Sequence, residues 1–256
     1  MKRIYTVQHT QSEHHTNGMV GSWTDWNLTD LGKQQADRIA EKLKQELDGK
    51  EIILFTSDLK RAKQTADSIA SRFRVEPIVR TELRERNLGR CCGKSVQWLR
   101  ENQECDEKTI DDRLFSDAES RRDEWNRLKP LFDHVMAEDS VNIIILSHGD
   151  LLSVFNSMFL GLEVESLNAC EMFGFAGGVS QMIVRDDGKR MIKRISDISF
   201  VRYIPVCRDL GVGKDLSEMT LYEKIYQKGR LRYEIERITY SGDCEIMYRR
   251  STILDK

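Results

Sequence analysis

The amino-acid order predicts an α/β protein: a three-layer α/β/α sandwich with a mostly parallel central sheet, plus a C-terminal extension. Three observations carry that expectation. Short β-rich runs alternate with longer stretches of helical periodicity. Residues 142–146 are apolar almost without interruption, as a strand covered on both faces must be. Polar residues capable of chemistry collect just after the runs, where an open α/β sheet places its ligand site.

In chain order, residues 2–7 form the first β-rich run. Residues 31–47 carry apolar side chains near helical spacing (Leu31, Ala36, Ile39, Ala40, Leu43, Leu47), with Thr29 or Asp30 as N-cap and Asp48-Gly49 as a stop. A second strand is expected at 51–55, then an amphipathic helix at 59–73 behind the capping residues Ser57-Asp58. Residues 76–83 read as a third strand and 121–136 as a helix led by Ser120. The strand at 142–146 feeds a helix at 150–159, and 179–184 pairs with 190–195 as a hairpin around Asp186-Asp187-Gly188. Residues 1–205 therefore read as one α/β domain, with a lid or insertion at about 91–120. Beyond Pro205 the character changes. Residues 208–214 read as a connection, 216–227 as a helix, and 232–240 with 245–250 as a hairpin across Ser241-Gly242-Asp243. This helix-plus-hairpin extension, 206–256, carries no evident chemistry and suits a structural arm or a homodimer contact.

Composition narrows the function. Hydrophobic residues at 39% and charged residues at 32% of 256 allow one sizeable core. A net charge of −2 gives no global field for nucleic acid, so an anionic ligand must be held by local donors. The best apolar run, Ile143-Ile144-Ile145-Leu146, is far short of a membrane span. The stretch after Lys2 and Arg3 ends at Val7, too short for the core of a signal peptide. The six cysteines include no C-x-x-C, and a cytoplasmic protein with reduced thiols is expected.

The strand exits carry the chemistry. The first delivers Gln8-His9-Thr10-Gln11-Ser12, the second Thr56-Ser57-Asp58-Leu59-Lys60-Arg61. The third delivers Leu83-Arg84-Glu85-Arg86, and the isoleucine-rich strand Ser147-His148-Gly149-Asp150. If they converge, the pocket suits a phosphoryl group. A neutral imidazole such as His9 is a competent nucleophile when its other nitrogen donates a hydrogen bond. Attack on phosphorus spreads charge over the equatorial oxygens, which Arg61 and a donating His148 would stabilise. The leaving oxygen needs a proton, and Glu85 is the acid at hand. Backbone N–H groups at the helix start near Gly149 would add donors.

These residues resemble the histidine phosphatase superfamily, the phosphoglycerate mutase-like proteins. The resemblance covers about residues 2–200 and rests on His9-Thr10-Gln11-Ser12, W-T-D-W-N-L-T-D-L-G from Trp23, and T-S-D-L-K-R-A-K-Q-T-A from Thr56. It continues through L-R-E-R-N-L-G-R-C-C-G-K from Leu83, Ala118-Glu119-Ser120, I-L-S-H-G from Ile145, and Gly177-Gly178-Val179-Ser180. It implies phosphoryl transfer without a cofactor or metal, through a phosphohistidine on His9. Arg61 and His148 would bind the phosphoryl oxygens, Glu85 would serve as acid and then base, Ser12 would line the pocket, and Ala118–Ser120 would sit near its rim.

The departure is at Gln8, where family members usually carry Arg. At an effective dielectric near 20, a charge about 4 Å from a phosphate is worth roughly 4 kcal/mol per unit pair before desolvation. Arg86, Lys60, His14 and His15 are the candidate replacements; His15 and Arg86 are counted with Gln8, Ser12 and Gly149 as phosphate-binding residues. His9, His14 and His15 could instead form a metal cluster, although no accompanying metal motif occurs. A phosphatase of small phosphomonoesters is the expected function. The alternatives are a mutase, disfavoured by the acidic segment between Cys91 and Ser120, and a weakened member that binds a phosphorylated ligand without turnover.

Overall fold

The computed structural model describes residues 1–47, 50–139 and 141–201, and two short strands at 233–234 and 249–250. The chain separates into two compact units, Met1–Arg202 and Tyr203–Lys256. The first contains β1 (Lys2–Gln8), α1 (His14–Asn17), α2 (Asp30–Leu47), β2 (Ile53–Thr56), α3 (Lys60–Phe73), β3 (Ile78–Val79) and α4 (Val96–Asn102). It continues with α5 (Arg121–Ala137), β4 (Asn142–Ser147), α6 (Gly149–Leu160), β5 (Val179–Val184) and β6 (Arg190–Asp197). The six strands lie in the order β3-β2-β4-β1-β5-β6. β3, β2, β4 and β1 are mutually parallel, and β5 and β6 complete the sheet as an antiparallel hairpin beside β1.

β4 sits between β2 and β1 and is buried along its whole length. Its side chains alternate between two cores. Ile143 and Ile145 pack with Leu128, Phe132 and Val135 of α5 and Val154 and Phe155 of α6. Ile144 and Leu146 pack with Ile39 and Leu43 of α2 and Ala66 and Ile69 of α3. Helices thus cover both faces, which makes the three layers and explains the unbroken apolar run.

The helix starts differ in how they are capped. Thr29 Oγ1 accepts from Gly32 N–H at 3.0 Å, so Thr29 opens α2. Gly32 is required there: a Cβ would lie 1.9 Å from the Gln11 carbonyl oxygen. α3 has no side-chain cap, although Ser57 Oγ accepts from Leu59 N–H just upstream. Ser120 and Asp123 form a reciprocal capping box at the start of α5.

The strand expected at 76–83 is the main difference. Only Ile78 and Val79 pair, at the sheet edge, where both are exposed. The Arg80 N–H bonds the Thr56 carbonyl, and the chain then turns through a 3₁₀ segment, Thr81–Leu83. An edge strand has one partner to hold it, and burying Leu83 ends the pairing early. Cys91, Phe115 and Ala118 of the segment around 91–120 build a small third core together with Val20. Cys91, Cys92, Cys105 and Cys170 are free thiols, and burial pushes Cys91 up to about 11.

In the second unit, β7 (Tyr233–Glu234) and β8 (Arg249–Arg250) pair antiparallel. The connection expected at 208–214, the helix at 216–227 and the turn at 241–243 lie outside the described residues, as do Asp48-Gly49, Cys207 and Cys244. Among the described residues, no helix is long and apolar enough to cross a membrane.

Candidate active site

The carboxyl ends of β1 and β4 lie side by side, with Gln8 opposite Ser147, and the next residue of each strand is a histidine. The His9 ring is buried, and its Nδ1 lies 2.8 Å from the Thr10 carbonyl oxygen. A carbonyl can only accept, so Nδ1 carries the proton and Nε2 presents its lone pair. Arg61 Nε donates to that Nε2 at 3.1 Å. Burial, and then the Arg61 charge, hold His9 well below the usual histidine range, so it is neutral at neutral pH. The Thr10 hydroxyl is turned to the Gly32 carbonyl at 2.8 Å, against α2.

Arg61, in the first turn of α3, is 1% exposed. Its Nη1 donates to the Thr24 carbonyl at 2.7 Å and its Nη2 to the Ser22 carbonyl at 2.8 Å. Three of its five N–H groups are therefore engaged within the protein, and two remain. Burial lowers its pKa to about 10, which leaves it cationic at neutral pH. Ser22 holds φ +46°, a left-handed conformation that strains a residue with a side chain. It is kept there by its hydroxyl, which donates to the Arg86 carbonyl and accepts from Leu88 N–H.

The Glu85 carboxyl lies at the start of α6, accepting from Leu151 N–H at 3.2 Å and from Arg86 N–H at 3.1 Å. Burial, and then the neighbouring Asp150 charge, raise its pKa to about 7, despite Arg61 and these N–H donors. Its backbone carbonyl is pinned by Trp23 Nε1 at 2.6 Å and Arg127 Nη2 at 3.2 Å.

His148 caps α6 and is fully buried. Its Nε2 pairs with Ser57 Oγ at 3.0 Å, and its Nδ1 has no partner. Burial, and then Arg61, hold it well below the usual range, so it acts as a neutral dipole. The Gln8 amide lies over Gly149, where a Cβ would approach its Nε2 to 3.3 Å. Gln8 Oε1 is buried without a partner.

Ser12 does not line the pocket; it supports two residues that do. Its N–H donates to His15 Nδ1 at 3.1 Å, and its hydroxyl pairs with His14 Nδ1 at 2.8 Å. Arg86 is bidentate to Glu107 at 2.8 and 2.9 Å, with Asp150 3.5 Å from its Nε. Burial opposes its charge, but Asp150 and Glu107 raise its pKa overall. Lys60 is exposed on α3, Ala118 belongs to the small core, and Ser120 caps α5; none of the three lines the pocket.

Gln8, His9, His14, His15, Arg61 and Glu85 share one pocket of about 210 Å³, with Arg86, Gly149 and Asp150 on its wall. A larger hollow, about 560 Å³, lies at the opposite end of β2 and β4 and has no histidine in its lining. His9, His14 and His15 each bring a ring nitrogen within 4.8 Å of the others, a spacing a transition metal could draw together. The charge runs the other way. Arg61 donates to the nitrogen His9 would need, and its cation would repel a metal ion placed there. His15 Nδ1 already accepts a backbone N–H, which leaves its proton on Nε2. The basin fits an anion.

Five supporting residues have no role assigned from the sequence: Ser22, Trp23 and Arg127, and also Ser57 and Asp150, which it places only at strand exits. Trp23 and Ser57 sit inside quoted motifs, but their partners are 62 and 91 positions away.

The model of the histidine phosphatase superfamily (branch 1) matches residues 4–197, and the chain belongs to that family. The glucosyl-3-phosphoglycerate phosphatase of Mycolicibacterium vanbaalenii is 27% identical over 183 residues, 65% of this chain and 77% of the relative. The 2,3-bisphosphoglycerate-dependent phosphoglycerate mutase of Bartonella henselae is 29% identical over 181 residues, 67% of this chain and 87% of the relative. Among solved structures, Bacillus stearothermophilus YhfR superposes with a TM-score of 0.67 at 22% identity, over 79% of this chain and 100% of that one. A mycobacterial glucosyl-3-phosphoglycerate phosphatase in complex with VO3 gives 0.66 at 22% identity, over 77% and 99%. The fold is that of this family, and the family's chemistry is phosphoryl transfer.

Proposed function

We propose that the protein is a phosphatase of small phosphomonoesters that works through a phosphohistidine on His9 and needs no metal. One observation carries the reading: a neutral His9 with its proton held on Nδ1 shares a pocket with a Glu85 carboxyl whose pKa is about 7. In the first step the Nε2 lone pair of His9 gives up its hydrogen bond from Arg61 Nε and forms a bond to phosphorus while the ester P–O bond breaks. Glu85 gives its proton to the departing oxygen. The two remaining Arg61 N–H groups would meet charge on the equatorial oxygens, with His148, 5.1 Å from His9 between ring centroids but outside the pocket lining, as a further donor. In the second step Glu85, now a carboxylate, takes a proton from water; the water oxygen bonds to phosphorus, the P–N bond breaks, and phosphate and neutral His9 are released.

Hydrolysis is favoured over mutase chemistry by the state of Arg86. A carboxylate-bearing phosphate would need a second free cation. Arg86 is held by Glu107 and faces Asp150, and among the described pocket-lining residues Arg61 is the arginine without a carboxylate at ion-pair distance.

The test is release of phosphate from p-nitrophenyl phosphate and a panel of sugar and glycerate phosphates in EDTA. Release that is lost in His9→Ala, with an acid-labile phosphoenzyme in the wild type, is the expected result. Isomer exchange without net release would replace the reading with a mutase. Absence of both turnover and phosphoenzyme would leave a binding protein.

A further inference from the structure

A phosphomonoester dianion brings two negative charges into this pocket, and the fixed groups do not match them. Arg61 supplies one positive charge. The charge of Arg86 is answered by Glu107 and Asp150, with Arg121 also reaching Asp150 at 3.3 Å while it serves Glu124 and Glu171. Gln8, at the strand tip beside His9, is neutral. We propose that the His14–His15 pair takes up one proton as the dianion binds and so supplies the second positive charge. This inference rests on the pocket receiving a phosphoryl group, as proposed above.

Position supports it first. α1 follows the β1 exit directly and brings both imidazoles into the pocket. The His15 ring stacks on His9 at 5.4 Å between centroids, 16° from parallel, and His14 lies 4.0 Å from His15. Ser12 anchors both from behind, with its N–H on His15 Nδ1 and its hydroxyl on His14 Nδ1. The accepting role of His15 Nδ1 leaves its Nε2 as a donor in the neutral ring. A proton added to the pair goes to His14 directly, or to His15 with loss of that backbone bond; two rings this close do not both stay charged.

The electrostatics of the pocket set the direction. Burial and then Arg61 lower His15 to about 4, and burial, His15 and then Arg61 lower His14 to about 3. Both are neutral at neutral pH until an anion arrives. The other charged or titratable groups lining the pocket are His9 from β1, Arg61 from α3, Glu85 and Arg86 from the 84–88 segment, and Asp150 from α6. His148 lies behind His9, and Glu13 on the same turn is bonded to Asn27 N–H. An opposite charge at contact range raises an imidazole by about one to three pKa units, and a dianion acts twice, enough to carry the pair toward neutral. The sign follows: a pKa raised in the complex makes binding strongest at low pH, and it weakens as pH climbs above about 4 toward the bound value.

The experiment uses the whole chain and sulfate, a tetrahedral dianion that does not itself titrate in this range. Calorimetry at pH 6, above the free values of the pair and below that of Glu85, in two buffers of different ionisation enthalpy counts the protons taken up per sulfate. Near one proton for the wild type, lost in the His14→Gln/His15→Gln double variant together with about a tenfold or greater fall in affinity, is expected. Uptake that persists in the folded double variant, or sulfate binding by the wild type without uptake, overturns the proposal. Failure of both sulfate and inorganic phosphate to bind overturns the phosphoryl-pocket reading itself. A His9→Asn variant that retains the uptake assigns the proton to the pair, and one that loses it assigns the proton to His9 and overturns the proposal.

Discussion

At the scale of single residues, the site is organised by which atom holds each proton. The Thr10 carbonyl keeps a proton on His9 Nδ1, and burial with Asp150 keeps one on Glu85 up to about pH 7. Glu85→Gln should therefore lower kcat by about 10²- to 10⁴-fold on an alkyl phosphate, whose leaving oxygen needs a proton, and by less on p-nitrophenyl phosphate. Wild-type turnover of the alkyl ester should decline as pH rises through about 7, because the acid is being lost, and the variant should show no such limb. Equal losses on both substrates would remove Glu85 from the acid's role. Gln8→Arg tests the neighbouring question. A fixed cation beside His9 should bind sulfate with less pH dependence; a pH profile identical to the wild type would mean that charge at position 8 does not reach the ligand.

At the scale of elements, the site depends on helix starts and turns that hold functional backbone in place. The Ser120–Asp123 capping box opens α5, and Arg127 from that helix bonds the carbonyls of Glu82, Arg84 and Glu85. Ser120→Ala should destabilise the fold by about 1 kcal/mol, read as a lower Tm. Gly32→Ala should do more damage, because its Cβ would enter the Gln11 carbonyl oxygen at the beginning of α2. A shift of about 1–3 kcal/mol or failure to fold is expected, and an unchanged Tm would mean the 11–32 contact is loose. The strand expected at 76–83 shows how sequence misleads at this scale. Its residues have strand character, but an edge position and the burial of Leu83 convert most of it into the turn that delivers Glu85. The helices were easier to read, since α2, α3 and α5 each bury a periodic apolar face and α6, rich in apolar residues, is buried on every side.

At the scale of the whole molecule, burying so many titratable groups in and around one pocket makes stability depend on pH from both sides. His9, His14, His15 and His148 are all lowered from 6.5, so the unfolded chain binds more protons there. Their contribution is present above pH 6.5 and is lost as pH falls toward the folded values. Glu85 and the fully buried Glu124 are raised from 4.5, Glu124 by burial and then Asp150 and Glu85. Their effect has the opposite sign: stability falls as pH rises from 4.5 through about 7 and beyond. Tm should therefore peak near neutrality and fall steeply on the acid side. Glu124→Gln, which cannot ionise, should raise Tm above pH 7 and leave the acid side unchanged. A Tm that stays flat from pH 4 to 9 would mean these groups relax toward water in solution.

The amino-acid order by itself determined the layered α/β plan, because apolar periodicity is a local property: the unbroken run in β4 and the striped helices can be read without knowing their partners. It also placed His9, Arg61, Glu85 and His148 at strand exits, where their residue types already suggest phosphoryl chemistry. Only the tertiary structure decided how each of them is held. Arg86 looks like a phosphate ligand in the sequence, yet Glu107, 21 positions away, takes its fork. Ser12 looks like a pocket hydroxyl, yet it turns away to orient His14 and His15. Charge neutralisation, proton position and desolvation depend on groups brought together from distant segments, and local pattern carries no record of those distances.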